Sequence, residues 1–176
     1  MNEIETHPFE AFIPENASTL ILGSFPGKEQ TQGPKNDTEW FYGAKRNQFW
    51  KILSSVYNEP MLKEKNRNYK MELFKNAGIG IADIILKAKR INNTNSDINL
   101  RDIEFNFNNI ESKLLNSKIT SIYFTSKFVE KHFKNHFDNL FNSITIRECL
   151  PSPSPIFRRM NLEKKVEIYK EKLPRK

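Results

Sequence analysis

Short apolar runs alternate with segments of helical periodicity along this chain of 176 residues, and this alternation constrains the fold more than any other feature. The apolar runs predict strands at residues 19–24, 78–86, 119–125 and 143–149. Apolar side chains at helical spacing predict helices at residues 47–57, 103–115, 127–137 and 162–173. Strands that alternate with helices usually pair in parallel. We therefore expect a single α/β domain over residues 1–176, with three α/β/α layers and a central, mainly parallel four-stranded sheet.

The loops that follow the predicted strands are the candidate functional segments. In parallel sheets such loops lie at the carboxyl ends of the strands. This rule puts residues 23–27, Asp83 and residues 150–160 on one edge of the predicted sheet. Residues 28–45 are predicted to form a long loop, and long loops inside compact domains are usually functional. Residues 87–99 form a second polar stretch.

The distribution of charge indicates a polyanionic partner. The net charge is +7, and +5 of it lies between residue 151 and the last residue, where eight Lys and Arg accompany three Glu. A solvent-exposed helix of alternating charge explains residues 164–176 equally well. Arg158 and Arg159 instead follow a proline-rich segment, which favours a role in phosphate contact.

Several features predict a cytoplasmic protein. No apolar run approaches the roughly 20 residues that a membrane helix needs. The first residues, MNEIETHPFEAF, lack the basic and then apolar layout of a signal peptide. The single cysteine, Cys149, cannot form an internal disulfide and fits a reducing compartment. We expect a monomer with no membrane partner.

Two other kinds of site are less well supported by the sequence. Residues 23–28 (GSFPGK) resemble a phosphate-binding loop, but three residues instead of four separate the glycines, and Glu29 stands where a hydroxyl residue is needed. His132 and His136 are one helical turn apart, as in some zinc sites, but no third ligand has suitable spacing. We expect no metal.

Five segments in a fixed order resemble one known family. They are residues 23–27 (GSFPG), 40–50 (WFYGAKRNQFW), 81–84 (IADI), 122–125 (IYFT) and 150–155 (LPSPSP). Together they are similar to the motifs of the uracil-DNA glycosylase superfamily, in particular those of its mismatch-specific (G:T/U) and hypoxanthine-DNA glycosylase branches. The resemblance covers the chain from about residue 19 to residue 173.

The resemblance implies a DNA-binding enzyme of base excision repair. Such an enzyme extrudes a deaminated or mismatched base, uracil or hypoxanthine, and hydrolyses its N-glycosidic bond. No lysine is placed by a motif as a nucleophile, so a monofunctional glycosylase is implied, with water as the attacking group. The iron-sulfur members of the superfamily need four cysteines, and this chain has one, so no cofactor is expected.

The resemblance also implies roles for individual residues. Asn47 is the candidate catalytic residue, because an amide can orient water or contact a lactam base. It also precedes a predicted helix, and an N-cap is the alternative. The candidate base-binding residues are Ser24, Phe25, Phe41 and Tyr42, with Phe41 or Tyr42 as the stacking ring. Both rings could instead pack in the core.

The proline-rich segment is the candidate DNA-binding loop. In this hypothesis an apolar side chain enters the base stack while the arginines hold flanking phosphates and the serines bond the strand. Packing of Phe157 into the core is the alternative. The candidate DNA-binding residues are Ser152, Ser154, Ile156, Phe157, Arg158 and Arg159.

Three departures from the family pattern leave activity and substrate open. Phe25 stands where other branches carry a polar residue that positions the attacking water. Ala44 and Lys45 replace a His-Pro pair, and residues 156–160 replace the usual Ala-Asn. The alternatives are therefore a non-catalytic DNA-binding protein of the same fold and, from the glycine-rich turn alone, an α/β enzyme for a small phosphorylated substrate.

Overall fold

A four-stranded parallel sheet forms the centre of the molecule. The computed structural model describes residues 3–33, 35–92, 94–137 and 144–175. In the sheet, β2 (Thr19–Gly23) pairs with β3 (Ile79–Asp83) on one side and with β6 (Ser121–Phe124) on the other, and β7 (Ile146–Cys149) lies beyond β6. The predicted parallel sheet flanked by helices is confirmed. Ser143 of the fourth predicted strand lies outside the described residues, as do Pro34, Asn93 and Lys176 of other predicted segments.

Helices pack on both faces of this sheet. Their bounds are α1 (Lys28–Thr31), α2 (Phe49–Tyr57), α3 (Arg67–Asn76), α4 (Phe107–Leu115), α5 (Lys127–Phe137) and α6 (Leu162–Lys172). Side chains from α2, α3 and α6 form one apolar cluster with one face of the sheet. Side chains from α4 and α5 form a second cluster with the other face.

Strand β2 shows why the two clusters form. All five of its residues are buried, because it has a strand on each side and helices above and below. Ile21 belongs to the cluster of α2, α3 and α6, whereas Leu20 and Leu22 belong to the cluster of α4 and α5. This alternation follows from the two-residue period of a strand. The strand ends where Gly23 leads into a turn that contains Pro26.

The predicted strand at residues 78–86 was wrong in its extent. The apolar run contains β3 and the start of β4 (Ile85–Arg90), and the chain bends between them at Ile84. Strand β4 leaves the parallel sheet and pairs antiparallel with β1 (Ile4–Thr6) and β5 (Leu100–Phe105). Periodicity could not separate the two strands, because buried strands of either sheet are continuously apolar.

The structure differs from the sequence-based expectations in three further segments. The predicted helix 103–115 is divided, since residues up to Phe105 pair with β4 and α4 begins at Phe107. The polar stretch 87–99 contains most of β4 and a 3-10 turn at Asp97–Asn99. The predicted long loop 28–45 contains the short helix α1. Helix α3 and strand β1 were not predicted.

Helix α3 is polar in sequence but is anchored by a buried lysine. Lys70 is 1% exposed, and its Nζ donates to the carbonyls of Thr38 at 2.6 Å and Lys63 at 2.9 Å. It also lies 4.7 Å from the centre of the Trp50 ring. Burial lowers the pKa of Lys70 to about 8.

Among the described residues, no helix combines the length and apolar character needed to cross a membrane.

Glu130 of α5 connects this helix to the end of β7. Its carboxylate accepts hydrogen bonds from Lys127 at 2.6 Å and from Lys134 at 2.9 Å. It also accepts one from the thiol of Cys149 at 3.1 Å. The two lysines lower the pKa of Glu130 from its ordinary value of 4.5 to about 2. Burial, followed by Glu130, raises the pKa of the Cys149 thiol to about 11, so this cysteine is a protonated donor at neutral pH.

We expect Glu130→Gln to destabilise the protein at pH 7 and to have little effect near pH 2. The pKa of Glu130 is lowered by folding, so its carboxylate stabilises the fold above its ordinary pKa, and this contribution is lost as pH falls towards 2. Urea unfolding of both proteins between pH 7 and pH 2.5 measures the difference in their free energies of unfolding. As a control, Glu104→Gln removes an exposed ion pair with Lys87 and should cost less than about 1 kcal/mol. A constant difference across this pH range would contradict the prediction.

Candidate active site

A cleft of about 1230 Å³ opens at the carboxyl ends of the parallel strands. Its walls come from segments that are far apart in sequence. They are residues 24–27 after β2, Asp83 at the end of β3, residues 125–127 after β6 and residues 149–157 after β7, together with residues 44–47 and 95–97. The edge predicted from the strand ends is therefore the edge that carries the cleft.

Tyr42 and Thr125 meet at the floor of the cleft. Their hydroxyls share a hydrogen bond of 2.9 Å, and the Tyr42 ring stacks on Phe49 with 4.2 Å between ring centres. Tyr42 has a φ of 56°, a strained conformation for an aromatic residue, and such strain concentrates at functional sites. Burial and then the charge of Asp83 raise the pKa of Tyr42. The hydroxyl therefore stays neutral.

Asp83 is a buried carboxylate held by a histidine. His7 Nε2 lies 2.9 Å from Asp83 Oδ2, with the two side chains only 3% and 7% exposed. The Phe9 N–H donates to His7 Nδ1 at 3.0 Å, so Nδ1 is unprotonated and Nε2 carries the proton that is donated to Asp83. Asp83 Oδ1 is buried with no hydrogen-bond partner among the described residues.

Gly23 provides the space in which these groups approach one another. A Cβ at this position would overlap both Asp83 Oδ1 and the Tyr42 hydroxyl. The residue lies in β2 beside Asp83, its register partner in β3. A residue without a side chain is therefore required where β2 ends.

The connection between β4 and β5 forms one wall of the cleft. The Ser24 hydroxyl donates to Asp97 Oδ1 at 2.8 Å, and the Lys28 N–H donates to Asn95 Oδ1 at 3.0 Å. Arg90, which is 5% exposed, bonds Glu5 and the carbonyl of Pro26. These bonds hold the connection against the turn after β2.

Asn47 lies directly before the N-cap of α2, which is Gln48. Its Oδ1 accepts the Phe49 N–H at 2.9 Å, a hydrogen bond to the first turn of the helix. Asn47 is partly exposed and lines the cleft. No hydrogen bond of its Nδ2 is formed within the described residues, so both amide N–H donors are available while the carbonyl is used by the helix.

The proline-rich loop is built by its own serines and by α6. The hydroxyl oxygen of Ser154 accepts the Ile156 N–H at 3.4 Å, and Tyr169 donates to the carbonyl of Pro151 at 3.0 Å. Lys165 Nζ lies 5.3 Å from the centre of the half-buried Phe157 ring. Ile156 is 66% exposed. The loop is thus fixed at its base and presents an apolar side chain at its tip.

Most of the predicted site residues lie together along this cleft. Those that line it are Ser24, Phe25, Tyr42, Asn47, Ser152, Ser154, Ile156, Phe157 and Arg159. Phe41 is the exception among the candidate base-binding residues, because it is 1% exposed and packs in the core, where its carbonyl accepts the Trp50 indole N–H at 2.8 Å. Arg158 is exposed but does not line the cleft.

Several residues of the cleft were missed from the sequence. Asp83 was placed at this edge by its strand-end position but not among the candidate site residues, and the same signal could have identified Thr125. His7 and Asp97 had no usable signal, since His7 lies 76 residues from Asp83 and Asp97 lies 73 residues from Ser24. Within the described ranges, no group of three or more His, Cys, Asp or Glu could hold a metal ion. His132 and His136 pack against the rings of Phe105, Phe128 and Phe107.

Comparison with known proteins decides the family. The model of the uracil DNA glycosylase superfamily matches residues 10–173. This chain belongs to that superfamily. Its cleft is therefore the cleft of a uracil DNA glycosylase superfamily member.

Similar proteins include two named hypoxanthine DNA glycosylase. The one from Methanosarcina barkeri is 34% identical over 98 residues, which are 56% of this chain and 57% of that protein. The one from Methanosarcina acetivorans is 28% identical over 95 residues, 54% of this chain and 56% of that protein. The matched regions thus span little more than half the length of each relative.

A solved structure shares the whole fold of this superfamily member. It is the solution NMR structure of a Methanosarcina acetivorans protein provisionally named uracil DNA glycosylase. The TM-score is 0.68 at 22% identity, covering 96% of this chain and 98% of that chain. The likeness shows a common fold.

We expect Gly23→Ala to destabilise this protein by about 1–3 kcal/mol, the usual cost of overpacking. The new methyl group would displace Asp83 and Tyr42 from the cleft floor. Gly27→Ala is the matched control in the same turn, where the nearest atom is the Nδ2 of Asn95, 3.1 Å away at the tip of a flexible side chain. Urea unfolding gives both values. Equal losses would show that the floor does not depend on the missing side chain at Gly23.

Proposed function

We propose that this chain is a monofunctional DNA glycosylase of base excision repair. It hydrolyses the N-glycosidic bond of a flipped-out deaminated or mismatched base, uracil or hypoxanthine. The observation that carries the proposal concerns the side-chain amide of Asn47, which lines the cleft of a uracil DNA glycosylase superfamily member. Its oxygen accepts the Phe49 N–H, whereas its two N–H donors form no hydrogen bond within the described residues. The names of the related proteins support the choice of bases.

The chemistry of the bond explains why free donors matter. When the bond breaks, negative charge develops on the departing base and positive charge on the sugar. The Nδ2 of Asn47 can donate to the base or to the attacking water. Tyr42, one face of which stacks on Phe49, offers its other face to the base. Its neutral hydroxyl adds a polar contact without a charge.

The charges in and around the cleft favour an uncharged base inside and phosphates outside. The interior carries the carboxylates of Asp83 and Asp97, whereas Lys45, Arg46 and Arg159 are exposed at the rim. Carboxylates repel phosphate, so a nucleic acid would hold its backbone at the rim and insert only a base. The same charges oppose a small phosphorylated substrate.

The turn after β2 also argues against the phosphorylated-substrate alternative. A phosphate-binding loop needs free backbone N–H groups. The Lys28 N–H already donates to Asn95, and the Gln30 N–H donates to the carbonyl of Gly27.

The lysines that line the cleft fit a monofunctional enzyme. A lysine nucleophile must lose its proton. Lys127 is 81% exposed, and its hydrogen bond with Glu130 raises its pKa, so it stays protonated. Lys45, the other lysine along the cleft, is exposed at the rim. These lysines therefore support water as the attacking group.

We expect Asn47→Ala to lower the rate of base release by about 100-fold or more, the usual cost of a lost donor at a developing charge. Purified protein is incubated with labelled duplexes that carry one uracil, hypoxanthine, xanthine or mismatched thymine. Alkaline cleavage then reveals abasic sites. The wild type should cleave at one or more of these bases.

The matched control is Asn66→Ala. Asn66 caps α3 by accepting the Tyr69 N–H at 2.8 Å, so this variant loses a similar hydrogen bond to the first turn of a helix outside the cleft. Both variants should lose about 0.5–2 kcal/mol of stability, but only Asn47→Ala should lose activity. Tight DNA binding by a wild type that releases no base would instead favour a non-catalytic DNA-binding protein.

We expect the proline-rich loop to hold the DNA strand. Arg158 and Arg159 are exposed beside Ile156, the exposed apolar tip that would enter the base stack. Replacing both arginines by alanine should weaken duplex binding and reduce the slope of log K against log salt by about 1.8, since each phosphate contact contributes about 0.9. Fluorescence anisotropy at several salt concentrations measures this slope.

A second double variant controls for the loss of two charges. Lys118→Ala with Lys131→Ala removes two exposed lysines that do not line the cleft. Its slope should remain near that of the wild type. Equal slopes for the two double variants would remove the loop from the DNA interface.

A further inference from the structure

The attacking water needs a proton acceptor that Asn47 does not supply. Phe25 offers no polar group in the turn after β2. The Oδ1 of Asn47 already accepts the Phe49 N–H, which leaves this residue chiefly a donor. Water becomes a nucleophile only if some group accepts its proton, and an amide is too weakly basic for that task.

Asp97 presents an acceptor in the same cleft. It lies in the connection between β4 and β5, is partly exposed and lines the cleft. The Ser24 hydroxyl donates to its Oδ1 at 2.8 Å, which fixes the orientation of the carboxylate. Its Oδ2 has no hydrogen-bond partner within the described part of the chain. Because Ser24 directly precedes Phe25, this carboxylate stands beside the turn that lacks a polar side chain.

Asp83, another carboxylate of the cleft, is less accessible. The Oδ2 of Asp83 is hydrogen-bonded to His7, and its Oδ1 is buried beside Gly23 and Tyr42. Its charge nevertheless acts on Asp97. Burial, opposed by the Ser24 hydrogen bond and reinforced by the charge of Asp83, raises the pKa of Asp97. A raised pKa makes a carboxylate a better proton acceptor.

We infer that Asp97 is the catalytic carboxylate of this chain, the group whose Oδ2 binds the attacking water and accepts its proton. This inference rests on the proposed glycosylase function. The water oxygen forms a bond to C1′ as the bond from C1′ to the base nitrogen breaks. The electron pair of that bond leaves with the base. The proton passes from water to Asp97 and then to the departing base, so the products are the free base and an abasic site.

Asp97 also acts on the charge that develops on the sugar. A carboxylate near C1′ stabilises the positive charge of an oxocarbenium-like transition state. Asn47 acts on the other product, by donating to the departing base. Acceptor and donor thus come from two different segments that line one cleft.

The test is single-turnover base release by Asp97→Asn on the substrate that the wild type cleaves. The asparagine keeps the size of the side chain and can still accept from Ser24. The rate constant should fall by about 100-fold or more, the usual contribution of a general base. The affinity for a duplex with an abasic-site analogue should stay within about 3-fold, because the missing interaction acts in the transition state.

Two further variants make the result specific. Asp102→Asn makes the same chemical change on β5, at an exposed residue that pairs with Lys89, and should retain the wild-type rate. Asp97→Ala leaves room for a small carboxylate, so added formate should restore its rate by about 10-fold or more. Formate rescue separates the loss of a catalytic group from a change in the fold.

The outcomes separate this inference from the proposed function. A wild type that releases base, with Asp97→Asn within about 3-fold of it, would overturn the role of Asp97 and leave the glycosylase proposal intact. A loss in Asp97→Ala that formate does not restore would make Asp97 a structural residue and would also overturn the inference. A wild type that releases none of the bases would overturn the proposed function, and the role of Asp97 with it.

Discussion

The close approach of Asp83 and Tyr42 to Gly23, at the end of β2, is the constraint on which the cleft depends. Strand β2 is buried between β3 and β6, and its last residue, Gly23, has no side chain. This absence lets Asp83 from β3 and Tyr42 from a distant loop occupy the same small volume. Parallel pairing brings Thr125, just after β6, to the same edge, where it bonds Tyr42. The floor of the cleft is therefore a product of strand register.

The small antiparallel sheet completes the cleft that the parallel sheet begins. Strand β4 continues from β3 after a single bend, and the connection that follows it returns to the turn after β2. Buried Arg90 bonds Glu5 of β1 and the carbonyl of Pro26, so the two sheets are joined by charge-assisted hydrogen bonds. This arrangement carries Asp97 into the cleft that Asn47 also lines. The antiparallel sheet thus supplies a carboxylate that is more exposed than Asp83 at the end of β3.

The charged side chains of the cleft differ between its opening and its interior. Lys45, Arg46 and Arg159 are exposed along the opening, as is Glu29, whereas Asp83, Asp97 and Tyr42 are less exposed. His7 bonds Asp83 through Nε2, while its Nδ1 accepts the Phe9 N–H. Under the proposed function, the interior carboxylates would keep phosphates outside and leave room for an uncharged base. They would also suit a reaction in which the sugar becomes positive.

The spacing of apolar residues predicted the elements that are buried in the same way along their whole length. It failed where burial or pairing changes within one segment. Residues 19–23, 127–137 and 162–172 were predicted nearly at their true bounds, since burial on one or two faces produces a clear period. Residues 78–90 pass from the parallel sheet to the antiparallel sheet, and residues 100–115 pass from a strand to a helix. The spacing of apolar residues does not reveal either change. The sequence by itself determined the parallel sheet, the order of motifs, the proline-rich loop and the position of Asn47 at the start of α2. Only the tertiary structure decided that Phe41 is core, that His7 binds Asp83 and that Asp97 enters the cleft, because those contacts join residues that are distant in sequence and depend on how two sheets pack together.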